Sequence, residues 1–304
     1  MPELPEVTVI ANSLNKKIKG LTLESIEYDW PKKFFWNGFS VKDLKGAKVT
    51  KVDRRGKVVL IETDKNITIL IHLKLTGQLI YQDKKMRIAG GHPLPPLNLP
   101  VPNKTTRVTF VFNNGGPTSS VRLRSGLRGT SHLYFNDIRK FGWVRIVESG
   151  KLKVESFLEK LGPDALEISF ENFSQRLASK GKVRIKKLLM DQTFVAGIGN
   201  IYSDEGLWRA KIHPARAVGS LSDSEIKALY KGLQESLKLA IEKGGSSANS
   251  FVDSGGEAGL FLTFAKAYHM SGKPCARCGT PIARKKMDGR SAHFCPACQQ
   301  QFPK

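Results

Sequence analysis

The chain has 304 residues, 40% hydrophobic and 25% charged, which is long enough for two domains with a sizeable core. Its 49 Lys and Arg against 27 Asp and Glu leave a net charge of +22 and a pI near 9.9, a surplus that calls for a polyanionic partner and makes nucleic acid the first candidate. The composition argues against a membrane protein: no run approaches the ~20 apolar residues of a span, and no basic amphipathic helix or hydrophobic anchor is offered to an anionic lipid surface.

The N-terminus lacks the basic and apolar regions of a secretory signal, so a cytoplasmic or nucleoid location is expected. Its first residues, Met1-Pro2-Glu3-Leu4-Pro5-Glu6-Val7, carry a chemical signal. A small residue after Met1 permits removal of the methionine, which would leave Pro2 as a free secondary amine. An α-amino group has a pKa near ~8, against about 10.4 for lysine, so a useful fraction is neutral near neutral pH. Such an amine attacks an aldehyde-level carbon to give an iminium, an electron sink. Glu3 and Glu6 are placed to move protons beside it. Taken alone, Pro-Glu at a chain start more simply opens a helix. Val7, Ile10, Ala11, Leu14 and Ile18 recur at helical steps and predict a helix over 5–18. Pro5 is tolerated in its first turn, the acidic residues suit its positive end, and Gly20 marks its stop.

Residues 21–148 read as β-rich, with candidate strands at 21–29, 47–54, 57–63, 66–73, 78–82, 107–113, 132–137 and 143–148. Strands at this spacing without intervening helices predict an antiparallel sandwich or barrel. Arg54-Arg55-Gly56-Lys57 lies at a turn, and Lys57 acquires meaning only if the fold brings it to Pro2. In Arg139-Lys140-Phe141-Gly142 a cation beside an exposed aromatic suits wedging into a base stack, although Phe141 as ordinary core is the simpler reading. His72 and His132 read as structural. Two long loops, 83–104 and 113–131 with Arg122, Arg124 and Arg128, are either functional or variable surface insertions.

Beyond residue 150 the periodicity turns helical. Candidate helices cover 151–161, 170–180, 184–192, 200–210 and 223–243, the last with Ser222 and Glu225 at capping-box spacing and Gly244-Gly245 at its end. Gly197-Ile198-Gly199-Asn200 opens the helix at 200 and follows a basic helical stretch, Lys182–Lys187. Backbone N–H groups at such a start can hold a phosphate, with Asn200 adding a donor. A Gly-x-Gly between helices is more often packing, and no strand precedes it as a dinucleotide fingerprint requires. Residues 246–264 read as a loop with three glycines (Gly255, Gly256, Gly259) and interspersed Phe.

All four cysteines fall in Cys275-x2-Cys278 and Cys295-x2-Cys298, with 16 residues between the pairs. Two such knuckles predict a closed, structural four-cysteine zinc site rather than a disulfide framework. Between them Arg284, Lys285, Lys286, Asp288, Gly289 and Arg290 predict a basic hairpin with its tip at Gly289.

The opening Pro2–Val7 and the four-cysteine tail, with Arg54–Lys57, Ile71-His72-Leu73, Leu161–Asp164, Leu189–Gln192 and Gly197–Tyr202 between them, resemble the formamidopyrimidine-DNA glycosylase family, which includes endonuclease VIII. The resemblance covers essentially the whole length, and Leu4 and Val7 favour the formamidopyrimidine branch. It implies an α+β multidomain protein. The expected parts are a catalytic β-sandwich domain at 1–150, a helix–two-turn–helix domain at 151–265 with a lesion-covering loop, and a zinc finger at 266–304. It implies a bifunctional base-excision repair enzyme that removes 8-oxoguanine and formamidopyrimidines from double-stranded DNA and nicks the abasic strand by β,δ-elimination. No organic cofactor is needed beside one structural zinc ion, and a monomer is expected.

By position, the resemblance makes Pro2 the Schiff-base nucleophile and Glu3 the proton donor, with Glu6 in support. Lys57 and Arg290 become proton donors for the two eliminations. Asn200, Lys182 and Lys104 become DNA contacts, and Arg139, Phe141 and Leu75 the side chains that fill the gap left by the flipped base. Thr105, Ile138, His269-Met270 and Gly181-Lys182-Val183 depart from the family pattern. Endonuclease VIII-like action on oxidised pyrimidines, and a scaffold that binds damaged DNA without cutting it, are the competing readings.

Overall fold

A computed structural model describes residues 1–84, 86–91, 99–113, 129–154, 156–246 and 259–301. Arg122, Arg124 and Arg128, and most of the 246–264 segment, lie outside these. The chain forms two compact units, one of Met1–Pro2 and Glu6–Glu159 and another of Glu3–Pro5, Lys160–Ser246 and the residues from Leu260 onward. Among the described residues no helix is long and apolar enough to cross a membrane.

The first unit takes all but the first two residues of α1 (Leu4–Ile18), whose Val7, Ile10, Ala11, Leu14 and Ile18 are buried as their spacing predicts. Gly20 follows at φ 86°, the left-handed conformation that glycine adopts most freely. Ten strands come next with two short helices among them: β1 (Thr22–Tyr28), β2 (Phe34–Phe35), α2 (Val41–Leu44), β3 (Val49–Arg55), β4 (Val58–Thr63), β5 (Ile67–His72), β6 (Gly77–Gln82), β7 (Arg87–Gly91), β8 (Thr106–Asn113), β9 (Thr130–Asp137), β10 (Trp143–Glu148) and α3 (Ser156–Glu159). They make two five-stranded sheets, ordered β1-β8-β9-β6-β7 and β2-β10-β5-β4-β3. The pairings are antiparallel except for the short parallel contact of β2 with β10.

Alternation along the strands supplies the core. Phe110, Phe112, Leu133 and Phe135 from one sheet, Val59, Ile61, Ile69, Ile71, Val144 and Ile146 from the other, and the apolar face of α1 form one buried cluster. Each such side chain contributes about 1.5–3 kcal/mol on burial. The expected antiparallel sandwich is therefore present.

β2, β7 and α2 were not predicted from the pattern. β7 is held by the backbone of β6, from Gln78 opposite Gly91 to Gln82 opposite Arg87, and its glycines give no alternation to read. α2 is a single turn whose start is fixed by Asp43, which accepts the backbone N–H of Ser40 at 2.8 Å.

The second unit is helical: α4 (Phe170–Ala178), α5 (Ile185–Leu189), α6 (Asn200–Ala210), α7 (Asp223–Glu242) and α8 (Phe261–Phe264), followed by the hairpin β11 (Ala283–Met287) and β12 (Arg290–Phe294). The capping box is formed at α7: Ser222 Oγ accepts the Glu225 N–H at 3.3 Å, and the Ser222 N–H donates to the Glu225 carboxylate at 2.9 Å. Leu229, Leu233, Leu237 and Ala240 bury one face of α7. At the α6 contact a Cβ on Gly232 would lie 2.8 Å from the Arg209 Cβ and 3.0 Å from the Gly206 carbonyl, so glycine permits this approach.

Three expected helices are revised. The stretch 151–161 is a 3-10 turn (Ser149–Val154) followed by the four-residue α3, and 184–192 shortens to α5. The basic helix Lys182–Lys187 is not formed as such, because the helix starts only at Ile185 and Lys186 points inward to a buried carboxylate.

Candidate functional site

The turn before α6 is built around Glu3. Gly197 takes φ 109°, and its carbonyl accepts the Leu4 N–H at 3.0 Å. Gln192 braces the turn, its amide oxygen accepting the Gly197 N–H at 2.9 Å and its amide nitrogen donating to the Ile198 carbonyl at 2.7 Å. The Glu3 carboxylate, buried, accepts the N–H groups of Gly199 at 2.8 Å, Ile201 at 3.0 Å and Tyr202 at 3.4 Å. A Cβ on Gly199 would collide with that carboxylate. The expectation that these amides hold a phosphate is thus corrected: the orphan donors and the positive end of the helix dipole are taken by an anion the chain itself supplies.

Asn200 instead lines a cavity of about 550 Å³ with Tyr268, His269, Ser271, Arg284, Gly289, Arg290, Ser291 and His293. Two buried carboxylates on α6 build its walls. Asp204 accepts Lys186 Nζ at 2.5 Å, the His293 N–H at 3.0 Å and contacts His293 Nδ1 at 2.9 Å, while Lys186 also donates to the Ser291 carbonyl at 2.7 Å. Burial lowers the Lys186 ammonium below its ordinary value, with Asp204 opposing the shift. Glu205 accepts the N–H groups of Lys266 at 3.0 Å, Ala267 at 2.8 Å and Tyr268 at 2.9 Å, and burial pushes its carboxyl up.

The hairpin carries Arg290 to the cavity. Asp288 and Gly289 at its tip have φ 48° and 78°, the two positive values that a tight two-residue turn requires. The predicted tip at Gly289 is therefore where the chain turns. Arg184 holds the tip through Asp288 at 3.3 Å. Lys182 is exposed just before α5.

In the first unit Pro2, Glu6 and Lys57 are buried, Lys57 in the turn between β3 and β4. His72 packs against Trp143 and Phe157, ring centroids 5.5 and 5.7 Å away, and its Nδ1 accepts the Lys74 N–H at 3.0 Å. Burial, then the charges of Lys74 and Lys57, hold its imidazole well below the ordinary value of 6.5.

Asp137, fully buried, organises a nearby turn. Its carboxylate accepts the Gly142 N–H at 2.8 Å, the Arg139 N–H at 3.1 Å and the Thr76 hydroxyl. One side chain thereby ties the Arg139–Phe141 turn to the residue that follows Leu75. The Arg139 guanidinium lies 4.6 Å from the Phe141 ring centroid, and Phe141 is 45% exposed, so it is not core. Leu75 is partly exposed. Lys104 is exposed, and its carbonyl accepts Arg107 Nη2 at 3.0 Å.

The ligand atoms of Cys275, Cys278, Cys295 and Cys298 all lie within 4.8 Å of one another, with sulfur separations of 3.5 Å for Cys278–Cys295 and 3.3 Å for Cys278–Cys298. Four thiolates at ~2.3 Å from one tetrahedral zinc stand about 3.8 Å apart, so the set fits the ion and leaves no open ligand position. The zinc is structural, holding together the knuckles that frame the hairpin.

Three family models match successive parts of the chain. The formamidopyrimidine-DNA glycosylase N-terminal domain matches residues 1–144, the formamidopyrimidine-DNA glycosylase H2TH domain 161–252, and the zinc finger found in FPG and IleRS 272–301. The formamidopyrimidine-DNA glycosylase of Pelotomaculum thermopropionicum is 37% identical over 303 residues, covering 99% of both chains. The chain belongs to the formamidopyrimidine-DNA glycosylase family. That of Heliobacterium modesticaldum is also 37% identical, over 99% of this chain and 100% of the relative. Among solved structures, the Lactococcus lactis Fpg in complex with abasic-site DNA aligns with TM-score 0.80 and 31% identity over 98% of this chain and 99% of that one. Its complex with Fapy-dG-containing DNA gives the same TM-score and identity over 98% and 100%.

Several residues of this glycosylase-family site escaped the sequence reading. Asp204 and Glu205 take partners far along the chain, at His293 and at Lys266 to Tyr268, and Asp137 reaches back to Thr76, so nothing local marks these roles.

Proposed function

We propose that this protein is a bifunctional DNA glycosylase and abasic-site lyase of base-excision repair, acting on formamidopyrimidines and 8-oxoguanine in double-stranded DNA. The observation that carries the reading is the Glu3 carboxylate, buried beside Pro2 in sequence and fixed by three backbone N–H groups. A carboxylate so held is positioned for proton transfer at one place.

With Met1 removed, the Pro2 nitrogen attacks the sugar C1′ of an extruded nucleotide. The C1′–N bond to the base breaks, and the base leaves with a proton. Glu3 donates a proton to the sugar ring oxygen, the ring opens, and the C1′–N bond to Pro2 becomes the iminium. That cation acidifies the C2′ hydrogens. Loss of one proton expels the 3′ phosphate, and a second elimination expels the 5′ phosphate. We assign proton delivery in these two steps to Lys57 and Arg290, with Glu6 supporting the amine. Asn200 and Arg290 grip backbone phosphate, Lys182 and Lys104 add charge along it, and Leu75, Arg139 and Phe141 fill the gap in the duplex. The N-terminal 1–150 acts as the catalytic domain, 151–265 as the DNA-binding helical domain and 266–304 as the finger. The protein works as a monomer in the cytoplasm.

Borohydride reduction in the presence of a duplex carrying 8-oxoguanine opposite cytosine tests the reading. A covalent adduct that is lost in Pro2→Gly supports it; binding without trapping, on this duplex and on one with an abasic site, overturns it. The Lactococcus lactis Fpg has also been crystallised with DNA containing an oxidised pyrimidine, so a thymine glycol duplex is the informative competitor.

A further inference from the structure

His269 sits in the cavity with Asn200, Arg284 and Arg290. We infer that it is a proton-gated ligand of the phosphodiester seated there, neutral while the cavity is free of anion and protonated once one enters. This rests on the reading of the cavity as a seat for DNA backbone phosphate, and it deepens that reading.

The residue is held in place. Its φ of 61° is left-handed, a conformation that costs an L-residue roughly 1–2 kcal/mol, so its position is imposed by its surroundings. Glu205 pins the backbone of residues 266–268 just before it, and the Met270 N–H closes the turn onto the Ala267 carbonyl at 3.1 Å. Its ring lies 4.6 Å from that of Tyr268 at 32°, and 6.1 Å from that of His293.

The groups facing it are almost all donors. Its own segment contributes Tyr268, α6 contributes Asn200, β11 contributes Arg284, and the tip and start of β12 contribute Arg290, Ser291 and His293. Among the described residues no carboxylate lines the cavity. Asp204, behind His293, is committed to that ring and to Lys186.

The local field is therefore positive. His269 is exposed to solvent, and the partial desolvation of its ring, then the charges of His293 and Arg284, hold its imidazole below the ordinary 6.5. A phosphodiester beside Arg284 and Arg290 reverses the field and offers an acceptor to the imidazolium N–H. Binding then takes up a proton, so affinity rises as pH falls. The window runs from the raised value in the complex down to the lowered value of the free protein. Above it His269 is neutral in both states, and below it His269 is charged in both.

The test is equilibrium binding, at one salt concentration, to a duplex bearing a tetrahydrofuran abasic-site analogue, from about pH 8 down to about pH 5.5. Wild type is compared with His269→Gln and His269→Gly, and the glycine variant suits the positive φ and so keeps the turn. Wild type should gain at least ~5-fold more affinity across the window than either variant, with all three alike at the alkaline end. Equal gains in all three overturn the inference. If the wild type is trapped by borohydride and the slopes coincide, only the role of His269 fails. Absence of trapping with the slopes still different leaves the phosphate ligand and removes the glycosylase. Failure to bind the duplex at any pH overturns both.

Discussion

The carboxylate of Glu3 accepts the backbone N–H of Gly199 at 2.8 Å across 196 residues of sequence. The same carboxylate reaches Ile201 and Tyr202, so the N-terminus of α6 is capped by a residue from the opening turn of the chain. Glu3→Gln keeps the shape but removes the charge that the helix end stabilises, a loss of about 0.3–2 kcal/mol, and turns its NH2 toward at least one of the N–H groups that the two carboxylate oxygens accept. Base release under single-turnover conditions should fall by roughly 10²–10⁴ in protein that remains folded by its melting transition. Unchanged base release would remove Glu3 from the chemistry.

Asp137 offers a second test, because its carboxylate holds the Gly142 and Arg139 N–H groups and the Thr76 hydroxyl, whose oxygen is the second acceptor of the Arg139 N–H at 3.3 Å. Asp137→Ala orphans those donors at about 1–3 kcal/mol each where they stay buried. The turn bearing Arg139 and Phe141 should loosen, lowering preference for an abasic-analogue duplex over an undamaged one more than it lowers affinity for either. A preference equal to wild type would separate this turn from gap filling.

Zinc removal should act on the finger and spare the sandwich. Cys295→Ser or chelation takes a ligand from the four-cysteine set that frames β11 and β12, and with it the position of Arg290. The expected outcome is loss of zinc by elemental analysis and loss of duplex binding, while the aromatic circular dichroism of the first unit persists. Unchanged binding after confirmed zinc loss would refute the dependence.

His72 predicts how stability responds to acid. Its folded-state value lies well below the ordinary 6.5 because of burial and the charges of Lys74 and Lys57. Above that ordinary value both states hold it neutral and the residue contributes no pH dependence. As pH falls below it, the unfolded chain takes up a proton that the folded chain refuses. Stability therefore falls with acid, by at most ~1.4 kcal/mol per pH unit for this one proton, until the folded-state value is passed. Denaturant melts of His72→Gln should show a shallower fall between about pH 6.5 and about pH 5 than wild type.

Much of the fold was legible in the residues. The helix at 5–18, most of the sandwich strands, the capped helix at 223–243 and the hairpin tip at Gly289 follow from spacing and turn chemistry, and they appear where those signals fall. β2 and β7 were not legible, because a two-residue strand and a glycine-ended strand depend on a partner's backbone and not on their own pattern. Lys186 read as one of a basic run, since nothing local shows that Asp204 awaits it in the interior.

By itself the sequence determined the chemistry available: a proline in second place beside two carboxylates, four thiols at zinc spacing, a large positive charge and the periodicities that make each element. These are local properties, set by residue type and by separations of a few positions. The tertiary structure alone decided how those groups are used. It gave the α6 amides to Glu3, and it gathered Asn200, Arg284, Arg290 and His269 around one cavity. Such assignments depend on which distant donors and acceptors meet out of water, where each buried polar group must find a partner.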